Sequence, residues 1–159
     1  MQVLIMRHGE AGNIAPSDAE RELTPKGELQ SLNMAKWLSN QLESKIDYVL
    51  VSPYIRAQQT WDVVKHELDF DHQNVEVCKD ITPYGQSELV IEYINALAAM
   101  KSLQTILVIS HLPLVGYMTA DWVAGLSPPM FTTSSIAAVN VNLETAVGEF
   151  CWMQSPNKL

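Results

Sequence analysis

The chain has 159 residues, 47% of them apolar, and this length and content predict one domain spanning residues 1–159 with a single core. Its 18 acidic and 10 basic residues give a formal net charge of −8, which argues against a general affinity for nucleic acid or anionic membranes, so any anion-binding site must be a local basic pocket. The two cysteines, Cys78 and Cys151, make neither a disulfide framework nor a zinc motif, and no apolar run approaches the ~20 residues that cross a bilayer, so we expect a soluble cytoplasmic protein.

An unbroken apolar run opens the chain, from Val3 to Met6, and it ends abruptly in Arg7, His8 and Gly9. Four consecutive apolar residues between polar ones predict a strand buried on both faces, as in parallel sheets. The functional crevices of open α/β sheets lie outside the carboxyl ends of the strands. His8 therefore stands where a site is expected, although an isolated Arg-His pair is more often the start of an ordinary loop.

A helix is predicted after the polar connection from Gly9 to Glu22. Thr24 is a typical N-cap, and Pro25 fits the first helical position. The apolar residues that follow recur at three- and four-residue spacing and predict one face packed on the sheet, made of Leu29, Leu32, Ala35, Leu38 and Leu42. The polar residues expected on the exposed face are Lys26, Gln30 and Lys36.

A second strand is predicted from Ile46 to Val51, and it ends in Ser52-Pro53-Tyr54-Ile55-Arg56-Ala57. The helix that follows has an apolar inner side formed by Ala57, Trp61, Val64 and Leu68. A short strand is expected from Val75 to Cys78, after a polar turn. Ser87 is then a candidate cap for a further helix, which carries Leu89, Val90, Tyr93, Ile94 and Leu97.

The third strongly apolar run, from Thr105 to Ile109, repeats this organisation, because it ends in Ser110-His111 and a helix opens at Pro113. That helix carries Val115, Met118 and Trp122. Further on, Ile136 to Leu143 alternates and Glu149 to Met153 returns after a turn, which predicts an antiparallel hairpin at the sheet edge. The elements together predict an α/β fold, a three-layer α/β/α sandwich with a mainly parallel central sheet and an antiparallel C-terminal edge hairpin.

The ends of three parallel strands would bring a phosphate-binding set of side chains together. Arg7 and Arg56 supply guanidinium forks suited to phosphate oxygens, and the helix after Ser52 adds the positive end of its dipole. His8 and His111 supply two imidazoles. A neutral imidazole can attack phosphorus and hold the phosphoryl group covalently, while arginines offset the charge on the oxygens. This chemistry needs no metal and no cofactor.

Three motifs carry a resemblance to a known family: Arg7-His8-Gly9, Ser52-Pro53-x-x-Arg56-Ala57-x-x-Thr60 and Ser110-His111. Together they resemble the histidine phosphatase superfamily, also called phosphoglycerate-mutase-like. The short chain and three further segments are most similar to the phosphohistidine phosphatases of that superfamily. These segments are Leu23-Thr24-Pro25-x-Gly27, His111-Leu112-Pro113-Leu114-Val115-Gly116 and Pro128-Pro129-Met130-Phe131-Thr132-Thr133-Ser134.

The resemblance implies a role for each matching residue. His8 would be the nucleophile, and Arg7, Arg56 and His111 would bind the phosphoryl group. Arg21 would reach the same pocket from the first loop, and a surface charge paired with Glu20 or Glu22 is a nearly equal alternative. Further substrate-binding candidates are Gly9 and Ser52.

One departure from the wider superfamily concerns the proton donor. Its metabolite phosphatases and mutases carry a carboxylic acid after the third strand, which protonates the departing alcohol oxygen. The corresponding stretch here, residues 80–88, offers only Asp80 and Glu88, and Glu10 stands close to the nucleophile motif. Because the P–N bond of a phosphohistidine is labile and its imidazole leaves with little help, the weak acid signal favours a phosphoramidate substrate.

We therefore expect a phosphatase that acts through phosphorylated His8 on phosphohistidine in a signalling or phosphocarrier protein, such as a histidine phosphotransfer domain of two-component signalling. It is expected to be a monomer, with an open pocket that admits a side chain of another protein. Two alternatives stay open, a phosphatase for small phosphomonoesters with Asp80 or Glu88 as acid, and a non-catalytic module that binds phosphoproteins. The second is disfavoured because His8, Arg7, Arg56 and His111 are all present.

Overall fold

The computed structural model describes residues 1–159 and contains one six-stranded sheet with four α-helices. The strands are β1 (Gln2–Arg7), β2 (Tyr48–Val51), β3 (Val75–Val77), β4 (Thr105–Ser110), β5 (Ile136–Asn142) and β6 (Val147–Gln154). The helices are α1 (Pro25–Gln41), α2 (Ile55–Val64), α3 (Ser87–Lys101) and α4 (Leu114–Trp122), and two 3-10 helices cover Asp18–Glu20 and Pro156–Lys158.

The sheet is mixed, with strand order β3-β2-β4-β1-β5-β6. Strands β3, β2, β4 and β1 are parallel to their neighbours, whereas β5 runs antiparallel to β1 and to β6. The predicted α/β fold, with its mainly parallel sheet and its antiparallel edge hairpin, is confirmed. The four residues at the centre of β1 are completely or almost completely buried, as the apolar run from Val3 to Met6 predicts.

Two apolar clusters cover opposite faces of the sheet. Val3 and Ile5 point into one cluster with residues of α3 and α4, and Leu4 and Met6 point into the other with residues of α1 and α2. This alternation is the two-residue period of a strand. The arrangement is the expected α/β/α sandwich, and it leaves the carboxyl ends of β1, β2 and β4 free to form a site.

Helix α1 begins as predicted, but its buried face differs from the predicted one. The Thr24 side chain accepts a hydrogen bond from the N–H of Gly27, and Pro25 is the first helical residue. The buried residues are Gly27, Ser31, Met34, Ala35 and Leu38, whereas Leu29 is 58% exposed. Leu29 lies about 200° around the helix from Gly27, because each residue turns the helix by about 100°. Ala35 and Leu38 are buried as predicted. The small residues Gly27 and Ser31 form the first part of the buried face, and the prediction for Leu29 is wrong.

Several predicted boundaries and exposures also change. Strand β3 ends at Val77, one residue early, and β2 begins at Tyr48, although Ile46 still forms a bridge with Phe70. Ser87 is the first residue of α3 rather than its cap, and its hydroxyl donates to the carboxylate of Asp121. Gln30, predicted to be exposed, is half-buried, and Leu68, predicted on the inner side of α2, is buried beyond the end of that helix. Helix α3 carries the predicted residues, of which Leu89 and Tyr93 are exposed.

None of the helices is both long and apolar enough to cross a membrane.

Candidate active site

The predicted site residues meet at the carboxyl edge of the parallel strands. Arg7 pairs with Ser110 in the β1–β4 register, and the N–H of His8 continues the ladder by donating to the Ser110 carbonyl at 3.0 Å. The N–H of Ser52 donates to the Ile109 carbonyl at the same distance. The ring centroids of His8 and His111 are therefore only 5.0 Å apart.

His8 is 6% exposed, and its two ring nitrogens have different partners. Its Nδ1 lies 2.7 Å from the Gly9 carbonyl, which can only accept, so Nδ1 carries the ring proton. The Nε2 lone pair then accepts a hydrogen bond of 3.2 Å from Nε of Arg56. Burial is the main cause that lowers the pKa of His8 to about 3, and the charges of Arg56, Arg7 and Arg21 add to it against the opposing Gly9 hydrogen bond. The imidazole is neutral at physiological pH, and its Nε2 lone pair can attack phosphorus once the Arg56 N–H turns to a phosphoryl oxygen.

Gly9 is fixed by packing against helix α1. A Cβ at this position would lie 2.7 Å from both the Gly27 carbonyl oxygen and the Ser31 hydroxyl, so only glycine fits. The N–H of Gly9 donates to the Thr60 hydroxyl at 3.0 Å, and that hydroxyl donates to the Arg56 carbonyl. Gly9 thereby ties the nucleophile segment to α1 and α2.

His111 is 1% exposed and contacts Ser52, as parallel strand ends predict. Its Nε2 lies 2.6 Å from the Ser52 hydroxyl, which also accepts the N–H of Tyr54 at 3.3 Å. Among these partners only Nε2 can accept the hydroxyl proton, so Ser52 donates to it and the ring proton of His111 sits on Nδ1. This Nδ1 is buried and has no hydrogen-bond partner. Burial, followed by the charges of His8, Arg56 and Arg7, lowers the pKa of His111 to about 2.

Arg56 follows β2 at the first turn of α2, and its side chain is 4% exposed. Besides the bond to His8, its Nη1 donates to the Asp18 carbonyl at 2.6 Å and its Nη2 to the Asp18 carboxylate at 3.3 Å. The guanidinium carbon also lies 5.1 Å from the centre of the Tyr54 ring. All three guanidinium nitrogens are therefore engaged, which fixes the fork beside the nucleophile.

Arg7 ends strand β1, directly before the nucleophile candidate His8. Its Nη1 donates to the Phe131 carbonyl at 2.8 Å, and its Nε is buried without a partner. Burial, then the nearby charges of Arg56 and Arg21, lowers the pKa of Arg7. Two unpartnered buried groups, this Nε–H and the Nδ1–H of His111, are thus available to acceptor atoms of a ligand.

Arg21 does not pair with Glu20 or Glu22, so the alternative of a simple surface pair with either residue is wrong. Its Nη1 donates to the Asp18 carboxylate at 3.0 Å, and its Nε donates to the Gly12 carbonyl at 2.8 Å. Asp18 was not among the predicted site residues. Its only sequence signal is the Asp18-x-x-Arg21 spacing, which is also typical of an exposed ion pair.

The three candidate acids lie in different surroundings. Asp80 and Glu88 are exposed, and Asp80 lines a cleft of about 290 Å³ between the end of β3 and α3 that contains none of the predicted phosphate-binding residues. Glu10 accepts a hydrogen bond from the Thr24 hydroxyl at 3.0 Å and lies 3.4 Å from Lys26 Nζ. The side chain of Glu10 therefore contacts the first residues of α1 and its N-cap.

The arrangement suits a tetrahedral anion bound at Nε2 of His8. Three guanidinium groups and the Nδ1–H of His111 surround a neutral imidazole, which matches the charge and donor requirements of a phosphoryl group. No group of three or more His, Cys, Asp or Glu side chains has an arrangement that could hold a metal ion.

Comparison with known proteins gives closely matching relatives. The sequence model of the Histidine phosphatase superfamily (branch 1) matches residues 3–88. The whole chain is 46% identical to the phosphohistidine phosphatase SixA of Escherichia coli and covers 96% of it, and it is 39% identical to a SixA homolog of Haemophilus influenzae over 86% of both chains. The solved structure of the protein histidine phosphatase SixA complexed with tungstate matches with a TM-score of 0.94 and 46% identity over 99% of each chain. These matches confirm the predicted resemblance.

Proposed function

This chain belongs to the histidine phosphatase superfamily, and we propose that it is a phosphohistidine phosphatase in which His8 carries the phosphoryl group. The observation that carries the proposal is the neutral, buried imidazole of His8, whose Nε2 lone pair faces Arg56 at 3.2 Å. Similarity along the entire chain to the phosphohistidine phosphatase SixA supports the same activity.

The reaction has two displacements at phosphorus. First, the Nε2 lone pair of His8 forms a bond to phosphorus while the P–N bond of the substrate breaks, and the electron pair of that bond stays on the substrate imidazole, which leaves neutral because its other ring nitrogen carries a proton. Second, water attacks the phosphorus of phosphorylated His8, the bond to Nε2 breaks, and inorganic phosphate leaves with the water oxygen. Because Nδ1 of His8 keeps its hydrogen bond to the Gly9 carbonyl, Nε2 stays the reacting nitrogen in both steps.

The surrounding residues bind the phosphoryl oxygens. Arg7 donates through its unpartnered Nε, and Arg56 through the guanidinium edge beside His8. His111 donates through Nδ1, and Ser52 holds that tautomer by its bond to Nε2. Arg21 adds a third positive charge from the loop before α1. These donors stabilise the charge that spreads over the oxygens as the bonds to phosphorus change.

The substrate we propose is phosphohistidine on a histidine phosphotransfer domain or phosphocarrier protein. The strand-to-helix connections at the active-site edge contain a single short 3-10 helix, Asp18–Glu20, so no helical lid encloses the pocket. The exposed positions of Asp80 and Glu88 suit a leaving group that needs little protonation. We further propose that the protein acts as a monomer of one domain in the cytoplasm.

The test is phosphate release from a ³²P-labelled histidine phosphotransfer domain, beside p-nitrophenyl phosphate, both with EDTA. Rapid release from the phosphoprotein and little from the ester is expected. The Asp80→Asn and Glu88→Gln variants should match the parent within twofold, because neither acid is required. Release only from the ester, with a loss in either variant, would replace the proposal by a phosphomonoesterase. Binding of the phosphoprotein without turnover would replace it by a binding module.

A further inference from the structure

We propose that Asp18 is a positioning residue of the phosphoryl site, one that aligns Arg56 and Arg21 through a single carboxylate. The inference rests on the proposed phosphatase function and assigns a role to a residue outside the motifs that carry the family resemblance. Asp18 opens the 3-10 helix Asp18–Glu20, in the loop between β1 and α1.

The contacts of Asp18 hold one defined edge of Arg56. A guanidinium presents two bidentate edges, Nε with Nη2 and Nη1 with Nη2. The carbonyl of Asp18 accepts a hydrogen bond from Nη1 at 2.6 Å, and its carboxylate accepts one from Nη2 at 3.3 Å, so Asp18 occupies the Nη1–Nη2 edge. The other edge, whose Nε points at His8, is left for the phosphoryl oxygens.

The second oxygen of the same carboxylate holds Arg21. Oδ1 accepts Nη1 of Arg21 at 3.0 Å, while Oδ2 faces Arg56. Without this bridge Arg21 keeps only neutral partners, the Gly12 carbonyl and the Asn13 side chain. The side chain of Asp18 is 45% exposed, so it contributes little to the core and its contacts within the site define its role.

The Asp18 carboxylate also offsets part of the positive charge at the site. The three guanidinium groups of Arg7, Arg21 and Arg56 carry +3, and Asp18 reduces this to +2, which equals the −2 charge of a fully ionised phosphoryl group. The bond from Arg21 is the first cause that lowers the pKa of the Asp18 carboxyl below its usual value, and Arg56 adds to it, so the bridge is ionised at neutral pH. Asp18 thus keeps mutually repelling arginines close together before substrate arrives.

The experiment compares Asp18→Ala, Asp18→Asn and Glu20→Ala on the labelled histidine phosphotransfer domain. Glu20 lies in the same 3-10 helix, but its carboxylate accepts only the Ser17 hydroxyl, so it is a matched control for the loop. Asp18→Ala should lower kcat/KM by about 10- to 100-fold, mainly through kcat, because misplaced donors cost transition-state stabilisation. Both Asp18 variants keep the main-chain carbonyl that accepts from Arg56. Asp18→Asn also keeps one side-chain acceptor oxygen and should fall between Asp18→Ala and the parent, and Glu20→Ala should match the parent.

A double-mutant cycle and an NMR signal identify the route of the effect. If Asp18 acts through Arg21 and Arg56, Asp18→Ala and Arg21→Ala together should lose less than the product of the single losses. The Arg56 Nε–H resonance should move or broaden in Asp18→Ala and stay unchanged in Glu20→Ala. An Asp18→Ala enzyme within twofold of the parent, or an equal loss in Glu20→Ala, would overturn the assignment. An inactive parent would instead reject the proposed function.

Discussion

The Nε–H of Arg56 is directed at the Nε2 lone pair of His8 across 3.2 Å, at the position that phosphorus must occupy in a phosphorylated enzyme. The same N–H therefore orients the nucleophile before substrate binds, and it can donate to a phosphoryl oxygen afterwards. Since Nη1 and Nη2 are tied to Asp18, the guanidinium stays beside His8 while its Nε–H passes from Nε2 to a phosphoryl oxygen.

Replacing His8 with alanine should abolish turnover, by about 10³-fold or more, because no other group on the strand ends offers a free imidazole nitrogen to phosphorus. The measurement is phosphate release together with alkaline-quenched labelling, in which the parent but not His8→Ala carries ³²P on histidine. Retained turnover in a folded His8→Ala protein would rule out the covalent mechanism.

Replacing Arg56 with lysine should lower kcat about 10²- to 10³-fold although the charge is kept. An ammonium group cannot reproduce the fork that joins His8 to both the carbonyl and the carboxylate of Asp18. Asp62→Ala is the matched control, because Asp62 lies on the exposed side of α2 and pairs only with Lys65. Equal kinetics for Arg56→Lys and the parent would contradict a role for the fork geometry.

Replacing Ser52 with alanine should allow His111 to change its tautomer. The hydroxyl is the only partner of Nε2, so its loss lets the ring proton move from Nδ1 to Nε2 and removes a donor from the phosphoryl site. We expect about a 10-fold lower kcat and a changed ¹⁵N spectrum of the His111 ring. An unchanged spectrum with lower activity would mean that Ser52 acts in another way.

The strand-end residues could be predicted from the sequence because each follows an unbroken apolar run. Such a run is typical of a strand that is buried on both faces of a parallel sheet. Arg7, His8, Ser52, Arg56 and His111 were found in this way, and their meeting follows from strand direction alone. Apolar periodicity identified Ala35 and Leu38 on the buried face of α1 but not the beginning of that face, where the small residues Gly27 and Ser31 lie against Gly9. A search for leucines therefore misplaces the first turn, where Leu29 is exposed.

The contacts of the loop between β1 and α1 could not be predicted from the sequence for a different reason. Asp18 and Arg21 have the spacing of a common surface pair, and the sequence contains no sign that Arg56, 38 residues away from Asp18, shares the same carboxylate. That contact depends on how the loop folds over the sheet edge, which local patterns do not specify.

The two buried histidines should make folding stability fall as the pH drops below about 6.5. In the unfolded chain they take up protons near that pH, whereas in the folded protein burial keeps the pKa of His8 at about 3 and that of His111 at about 2. Because the unfolded state binds more protons, stability decreases with falling pH, by about 3 kcal/mol for each histidine at pH 4.5. Urea unfolding at pH 7.5, 5.5 and 4.5 measures this, and His8→Asn should lose about half of the histidine contribution. Identical pH dependence in the parent and His8→Asn would show that the pKa of His8 is the same in the folded and the unfolded chain, and a nucleophile whose pKa is lowered by burial would then be excluded.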